Sequence, residues 1–159
     1  TNSQDEMMKK LLVAACLVAT FSGQALASEG PSLSDKLAPK VEQLAKSTLS
    51  WEGTELPAYG KGTPEITVLK ITIPAKAQLP LHEHPAINAG VLTKGQLTVI
   101  TQDKVAGKKE LKMKAGDSLI EVVNTCHYGR NEGDEPAEII VFYAGTKDQV
   151  VTTPSKRCV

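Results

Sequence analysis

From Pro64 onward the chain is a succession of short runs rich in Val, Ile, Leu and Thr, interrupted every few residues by Gly, Pro, Asn or Asp. The runs fall at 65–73, 79–84, 89–92, 96–101, 110–113, 118–123 and 138–143. Between them stand turn signals such as Lys94-Gly95, Ala115-Gly116-Asp117, Asn124-Thr125 and Glu132-Gly133-Asp134. Apolar runs too short for helices, closely spaced and bounded by turn formers, predict an all-β sandwich or barrel. At 159 residues the chain suits one core of this kind. The stretch 108–114 alternates Lys112 and Lys114 with Leu111 and Met113. It reads as a strand with one solvated face, whose lysines discourage edge-to-edge pairing.

The first third has a different texture. Lys9 and Lys10 precede an apolar segment at 11–21, and Ala25-Leu26-Ala27 stands before Ser28. These are the basic flank, apolar core and small-x-small cleavage site of a secretory signal. The apolar segment is shorter than the roughly 18 residues a membrane span needs, so no integral anchor is expected after processing. Val13-Ala14-Ala15 before Cys16 resembles a lipobox, but cleavage there would leave too short an apolar core. Cleavage near Ala27/Ser28 would deliver the protein to the periplasm or the exterior. The expected organisation is 1–27 signal and leader, 28–62 helical and loop extension, 63–150 barrel, and 151–159 tail. The helical expectation rests on Leu33, Leu37, Val41 and Leu44, spaced for one helix face behind Ser34 and interrupted by Pro39.

The whole chain carries 18 basic and 18 acidic residues. Residues 1–27 hold Lys9, Lys10, Asp5 and Glu6, so removing them leaves the formal charge at zero. A nucleic-acid binder would show a basic excess gathered on one face, and none is visible. Gly-x-Ser-x-Gly nucleophile motifs and phosphate-binding Gly-rich loops are absent too.

Chemistry concentrates in the histidines, of which there are three. His82 and His84 flank Glu83 on a strand candidate, which sends both imidazoles to one face and Glu83 to the other. Same-face neighbours on a strand are about 7 Å apart, close enough for two rings to converge on one ion with N–metal distances of about 2.1 Å. His127 is the remaining histidine and would supply a third ligand from another strand. With Cys126 and Cys158 the only cysteines after residue 27, a cysteine-rich structural zinc site is excluded.

Residues 76–131 resemble the two motifs of the cupin family. The first motif, Gly, five residues, His-x-His, three or four residues, Glu, six residues, Gly, is matched by Lys76, His82-x-His84, Asn88 and Gly95. The second, Gly, five residues, Pro-x-Gly, two residues, His, three residues, Asn, is matched by Gly116, Val122-x-Asn124, His127 and Asn131. The resemblance implies a double-stranded β-helix, or jelly roll, of antiparallel strands. It further implies one divalent metal on His82, His84 and His127, with Fe, Mn, Zn, Ni and Cu not distinguished. A small-molecule ligand would bind in the barrel, and a homodimer is a further implication.

The departures are specific. Lys76 replaces a glycine, and Val122 and Asn124 replace the Pro-x-Gly turn, Asn being a turn former. Asn88 stands where the family has a metal-binding glutamate, and a neutral amide is a poorer ligand. Glu121 could take over part of that role. If 122–126 is the turn of a hairpin, Glu121 and His127 face each other with Cβ atoms about 5 Å apart. An acid inside the apolar run 119–123 also needs a partner.

Two functional classes follow. One is a small mononuclear metalloenzyme of dioxygenase or isomerase type, with Glu121, Tyr128 or Asn131 positioning the substrate. The other is a non-catalytic binder of a small molecule or metal. For Asn131 the plainer expectation is that it secures the turn into Glu132-Gly133, and for Trp51 that it caps the core. Export also permits a disulfide between Cys126 and Cys158, two free thiols being the alternative.

Overall fold

The structure is a computed structural model and describes residues 37–103 and 107–154. The expected signal segment lies outside the described residues, as does most of the first of the two units into which the chain divides, 1–40 and 41–159. The described residues of the second unit are entirely β in their regular structure. Its strands are β1 (Pro64–Ile73), β2 (His82–Glu83), β3 (Ile87–Lys94), β4 (Gln96–Asp103), β5 (Gly107–Lys114), β6 (Ser118–Ile120), β7 (His127–Arg130), β8 (Ala137–Thr146) and β9 (Thr153–Pro154). No helix among the described residues is long and apolar enough to cross a membrane.

The strands form two antiparallel sheets. One runs in the order β1-β8-β3-β6 and the other β5-β4-β7-β2-β9. Each sheet thus draws on strands from both ends of the barrel segment, and β8 fills the space between β1 and β3. The β1–β8 ladder pairs Pro64 with Thr146 through Ile73 with Ala137 without a break. Alternation decides the faces: in β8, Ala137, Ile139, Val141 and Tyr143 are buried while the residues between them are more open. Leu97 and Val99 of β4 join these in the core, with Ile73, Leu92, Met113 and Leu119. On β4, Thr98 and Ile100 are buried as well, as suits a strand covered on both faces.

Backbone geometry accounts for the motif positions. Gly95, at the β3–β4 turn, has φ of 74°, and a Cβ there would stand 2.8 Å from the Pro136 carbonyl oxygen. Only glycine fits such a place. Lys76 and Asn124, which replace family glycines, have φ of 62° and 53°. The left-handed conformation is therefore kept at both positions without glycine. Asn accepts it readily. Lys76 is tied by Nζ to Glu132 O at 2.8 Å and to Asp134 Oδ1 at 2.7 Å.

The helical expectation for 31–47 fails where it can be judged: residues 39–47 carry no helix, and Val41 and Leu44 are exposed. Pro39 removes a backbone donor, and the two apolar side chains meet no core that would reward a helical turn. Residues 31–36 lie outside the described residues. Farther along, Leu49 bridges Glu55, and Trp51 N donates to Ile120 O at 2.8 Å, which fastens the 49–55 loop to the end of β6.

Candidate metal centre

The three histidines meet at one point. His82 on β2 is paired directly with His127 on β7, and His84 follows one residue beyond the end of β2. Ring centroids are separated by 4.4 Å for His82–His127 and 4.8 Å for each of the other two pairs. One nitrogen from each ring lies within 4.8 Å of the others, so the cluster could hold a metal ion.

The orientation of each ring is set by its own Nδ1. His82 Nδ1 lies 2.7 Å from Pro80 O, His84 Nδ1 2.9 Å from Val151 O, and His127 Nδ1 2.8 Å from Thr125 O. A carbonyl oxygen can only accept, so Nδ1 carries the hydrogen in all three rings. In the neutral form Nε2 is then the lone-pair nitrogen. Backbone carbonyls behind metal-binding imidazoles fix tautomer and direction in this way. His127 Nε2 is buried and has no hydrogen-bond partner. A buried nitrogen without a partner costs about 1–3 kcal/mol, and a cation at the cluster would satisfy it.

Burial also keeps the rings neutral. Desolvation, reinforced by His127 and His82, lowers the pKa of His84 to about 3, against a smaller upward pull from the Val151 carbonyl. Desolvation, then His82, lowers His127 to about 4. Both rings present lone pairs at neutral pH, the state a metal requires.

Glu121 stands beside the cluster, with Oε2 3.8 Å from His127 Nε2. The hairpin expected to bring the two together does not exist. β6 pairs with β3 in one sheet and β7 with β4 and β2 in the other, so the two residues meet across the barrel interior. Glu121 Oε1 accepts the Trp51 indole N–H at 2.8 Å and the Val122 backbone N–H at 2.9 Å. Burial raises the carboxyl to a pKa of about 7, and these two donors restrain the rise. Trp51 therefore has a role beyond capping the core. No local pattern could have revealed it, because the partner lies 70 residues away.

Asn88 is buried on β3 and lines the same cavity as the imidazoles, its Nδ2 donating to Ala86 O at 3.2 Å. Tyr143 packs its ring edge-on against His84 at 5.2 Å. Of the other candidates, Asn131 donates Nδ2 to Ile73 O, Pro74 O and Glu135 O and accepts from Gly133 N, which secures the turn after β7. Tyr128 is next to His127 on β7 and so faces away from it. Neither lines the cavity. Cys126 is disulfide-bonded, and the other two cysteines of the sequence, Cys16 and Cys158, lie outside the described residues.

The cavity beside the cluster has a volume of about 390 Å³. Its walls are Leu69, Ile71 and Ile73 from β1, Leu97 and Val99 from β4, and Ile139 and Val141 from β8. Polar groups enter with the histidines, Glu121, Asn88, Tyr143 and Thr152, and no Lys, Arg or Asp lines it among the described residues.

Comparison with known proteins agrees with this fold. Solved structures of similar fold include Bacillus subtilis oxalate decarboxylase, described for its Mn(II) centres, at 21% identity and a TM-score of 0.50. The match covers 56% of this chain and 23% of that one. Lactobacillus farciminis oxalate decarboxylase in a formate complex matches at 19% identity with a TM-score of 0.48, over 58% of this chain and 27% of that chain. This chain thus spans about a quarter of the length of the decarboxylase chains it resembles. No curated protein matches the sequence. The family model described as "Cupin domain" matches residues 69–143, the stretch from mid-β1 to Tyr143 that contains all three histidines. By fold, motif spacing and family match together, residues 69–143 of this chain are a cupin domain.

Proposed function

We propose that this protein is an exported metalloenzyme that holds one divalent transition metal with His82, His84 and His127 and acts on a small molecule in the adjoining cavity. The observation that carries this reading is the shared use of Nδ1: three backbone carbonyls turn three imidazoles so that their lone-pair nitrogens face one another. Without a cation that arrangement has no compensation, since His127 Nε2 is buried and unpartnered. A divalent metal bound there would supply Lewis-acid polarisation of a substrate oxygen, or redox chemistry if it is a redox metal.

The chain's own residues supply the rest. Glu121 is the proton-transfer group: Oε1 is held by Trp51 and Val122, while Oε2 faces the cluster from 3.8 Å. Its pKa of about 7 suits a group that must both take and return a proton at neutral pH. Asn88 offers a neutral amide at the family's carboxylate position, as a weak further ligand or a contact to the bound molecule. The apolar walls exclude water around the reacting end. These parts fit dioxygenase- or isomerase-type chemistry, in which a substrate oxygen is bound and a proton is moved nearby. Imidazole sets accept Fe, Mn, Zn, Ni and Cu alike, so the donors do not select among them.

Elemental analysis of the protein purified without chelators tests the reading, alongside His82→Ala and His127→Ala. About one equivalent of one metal, lost in both variants and retained in Glu121→Gln, is the expected result. A chain that takes up no metal under any reconstitution condition would refute it. Export rests on Lys9-Lys10, the apolar segment at 11–21 and Ala25-Leu26-Ala27. N-terminal sequencing of the protein recovered from the periplasm or medium should then begin at Ser28.

A further inference from the structure

We propose that the cavity takes a predominantly apolar small molecule with a single oxygen-donor head group, and discriminates against small polyanions such as oxalate. The head-group part rests on the metal-centre reading. The body of the ligand is assigned from the walls alone.

The cavity is polar at one end and hydrocarbon along its length. The β1–β8 register sets Leu69 opposite Val141 and Ile71 opposite Ile139, and these side chains point inward from one sheet. Leu97 and Val99 of β4 face them from the other. The imidazoles, Glu121, Asn88, Tyr143 and Thr152 contribute the polar groups, drawn from β2, β3, β7, β8 and the adjoining loops. Pockets of this kind bind through apolar area, with a few polar groups fixing orientation.

Away from the metal position, the cavity lining offers a dianion no cationic side chain: no Lys or Arg lines it among the described residues, and Glu121 is an acid within it. A small diacid binding the cluster through two oxygens would have for its other two only the neutral donors Asn88, Tyr143 and Thr152, with Leu and Ile side chains beyond them. Burying a second charge without a cationic partner carries a heavy desolvation penalty. Such a molecule would also leave most of about 390 Å³ unfilled. A ring or chain of several carbons carrying a hydroxyl, enol or vicinal diol at one end pays neither penalty and covers the apolar walls.

Calorimetric titration of the metal-quantified protein with three probes tests this: catechol, 2,3-dihydroxynaphthalene, which has the same head with a larger hydrocarbon body, and oxalate. The naphthalene diol should bind at least tenfold more tightly than catechol, and oxalate at least tenfold more weakly than the naphthalene diol. Val141→Phe, which fills the cavity, should abolish the preference between the two diols. Leu69→Ser, at a partly exposed wall position where folding is less at risk, should reduce it severalfold. Equal affinities for the diols, or oxalate as the tightest probe, would overturn the inference. The two readings fail separately. If only the metal reading is wrong, the protein carries no metal yet still prefers the naphthalene diol, in the native chain and in His127→Ala alike. If only the present inference is wrong, the metal is there and the preference is not.

Discussion

Trp51 donates its indole N–H to Glu121 Oε1 over 2.8 Å, and so ties a loop outside the barrel strands to the acid beside the histidine cluster. Of the two N–H groups on that oxygen, the indole is the one a substitution can remove, Val122 N being backbone. Both donors stabilise the carboxylate against desolvation. Trp51→Phe should therefore cost about 1–3 kcal/mol of stability, from lost packing and an acceptor short of a donor. It should also raise the Glu121 pKa above its present value. Urea unfolding followed by circular dichroism measures the first effect. The pH at which the Glu121 carbonyl band converts in difference infrared spectra measures the second.

Metal binding should displace a proton from Glu121. With a pKa of about 7, the group is mostly protonated at pH 6 and mostly ionised at pH 8. A cation at the imidazoles would lie close to Oε2, given the 3.8 Å to His127 Nε2, and would favour the carboxylate. His84 and His127 are already neutral at pH 6 and release nothing. Calorimetry in two buffers of different ionisation enthalpy should thus show about one more proton released at pH 6 by the native chain than by Glu121→Gln. The difference should shrink towards zero at pH 8. Equal release from both proteins at pH 6 would remove Glu121 from the site's proton balance.

Most strands were legible because short runs rich in Val, Ile, Leu and Thr stand between turn formers, and in β5 because Leu111 and Met113 alternate with exposed lysines. β7 escaped because 128–130 has no apolar alternation. Gly129 is buried there only because Leu97 and Leu79 cover it from elsewhere in the fold, a Cβ at that position meeting Leu97 Cδ1 at 3.2 Å. β9 is two residues long, one of them Pro154, and exists only through its pairing with β2. The histidine cluster could be anticipated from spacing, since the His82–His127 pair is a ladder contact. Its supports could not: Pro80, Thr125 and Val151 act through backbone carbonyls, which carry no residue signature. Glu121 was singled out for its chemistry, but the hairpin geometry offered for it was wrong, and the contact arises across the two sheets.

Lys76 holds φ of 62° where the family motif has glycine, a conformation that costs an L-residue about 1–2 kcal/mol. Its salt bridge to Asp134 is exposed on both sides and offsets little of this. Glycine would remove the strain but lose more entropy on folding, by about 0.5–1 kcal/mol. Lys76→Gly should therefore be neutral to stabilising, by up to about 1 kcal/mol, and should leave metal content unchanged. Lys76→Val, β-branched and without the tether to Glu132 O, should destabilise by at least as much. Paired chemical denaturation curves decide the sign, and a stability loss in Lys76→Gly would show that the tether outweighs the strain.

The metal-free protein should lose stability on mild acidification, at a rate set by three buried groups. His84 and His127 have folded pKa values of about 3 and about 4, below the 6.5 of free histidine. Between pH 6.5 and 4 the unfolded chain binds two protons that the folded state refuses, so stability falls with falling pH by two protons' worth. Glu121 acts in the opposite sense. Its folded pKa of about 7 exceeds the ordinary 4.5, so between those values the folded state keeps a proton the unfolded chain has lost, and stability falls as pH rises. From pH 6.5 to 4.5 these three groups leave one net proton, a slope of about 1.4 kcal/mol per pH unit. Glu121→Gln removes the opposing group, and its slope over the same window should double to about 2.7 kcal/mol per unit. Urea unfolding of both chelator-treated proteins at pH 6.5, 5.5 and 4.5 checks the pair. Parallel slopes would mean that Glu121 is ionised in the metal-free fold, and a native stability that rises on acidification would mean that the two imidazoles titrate freely.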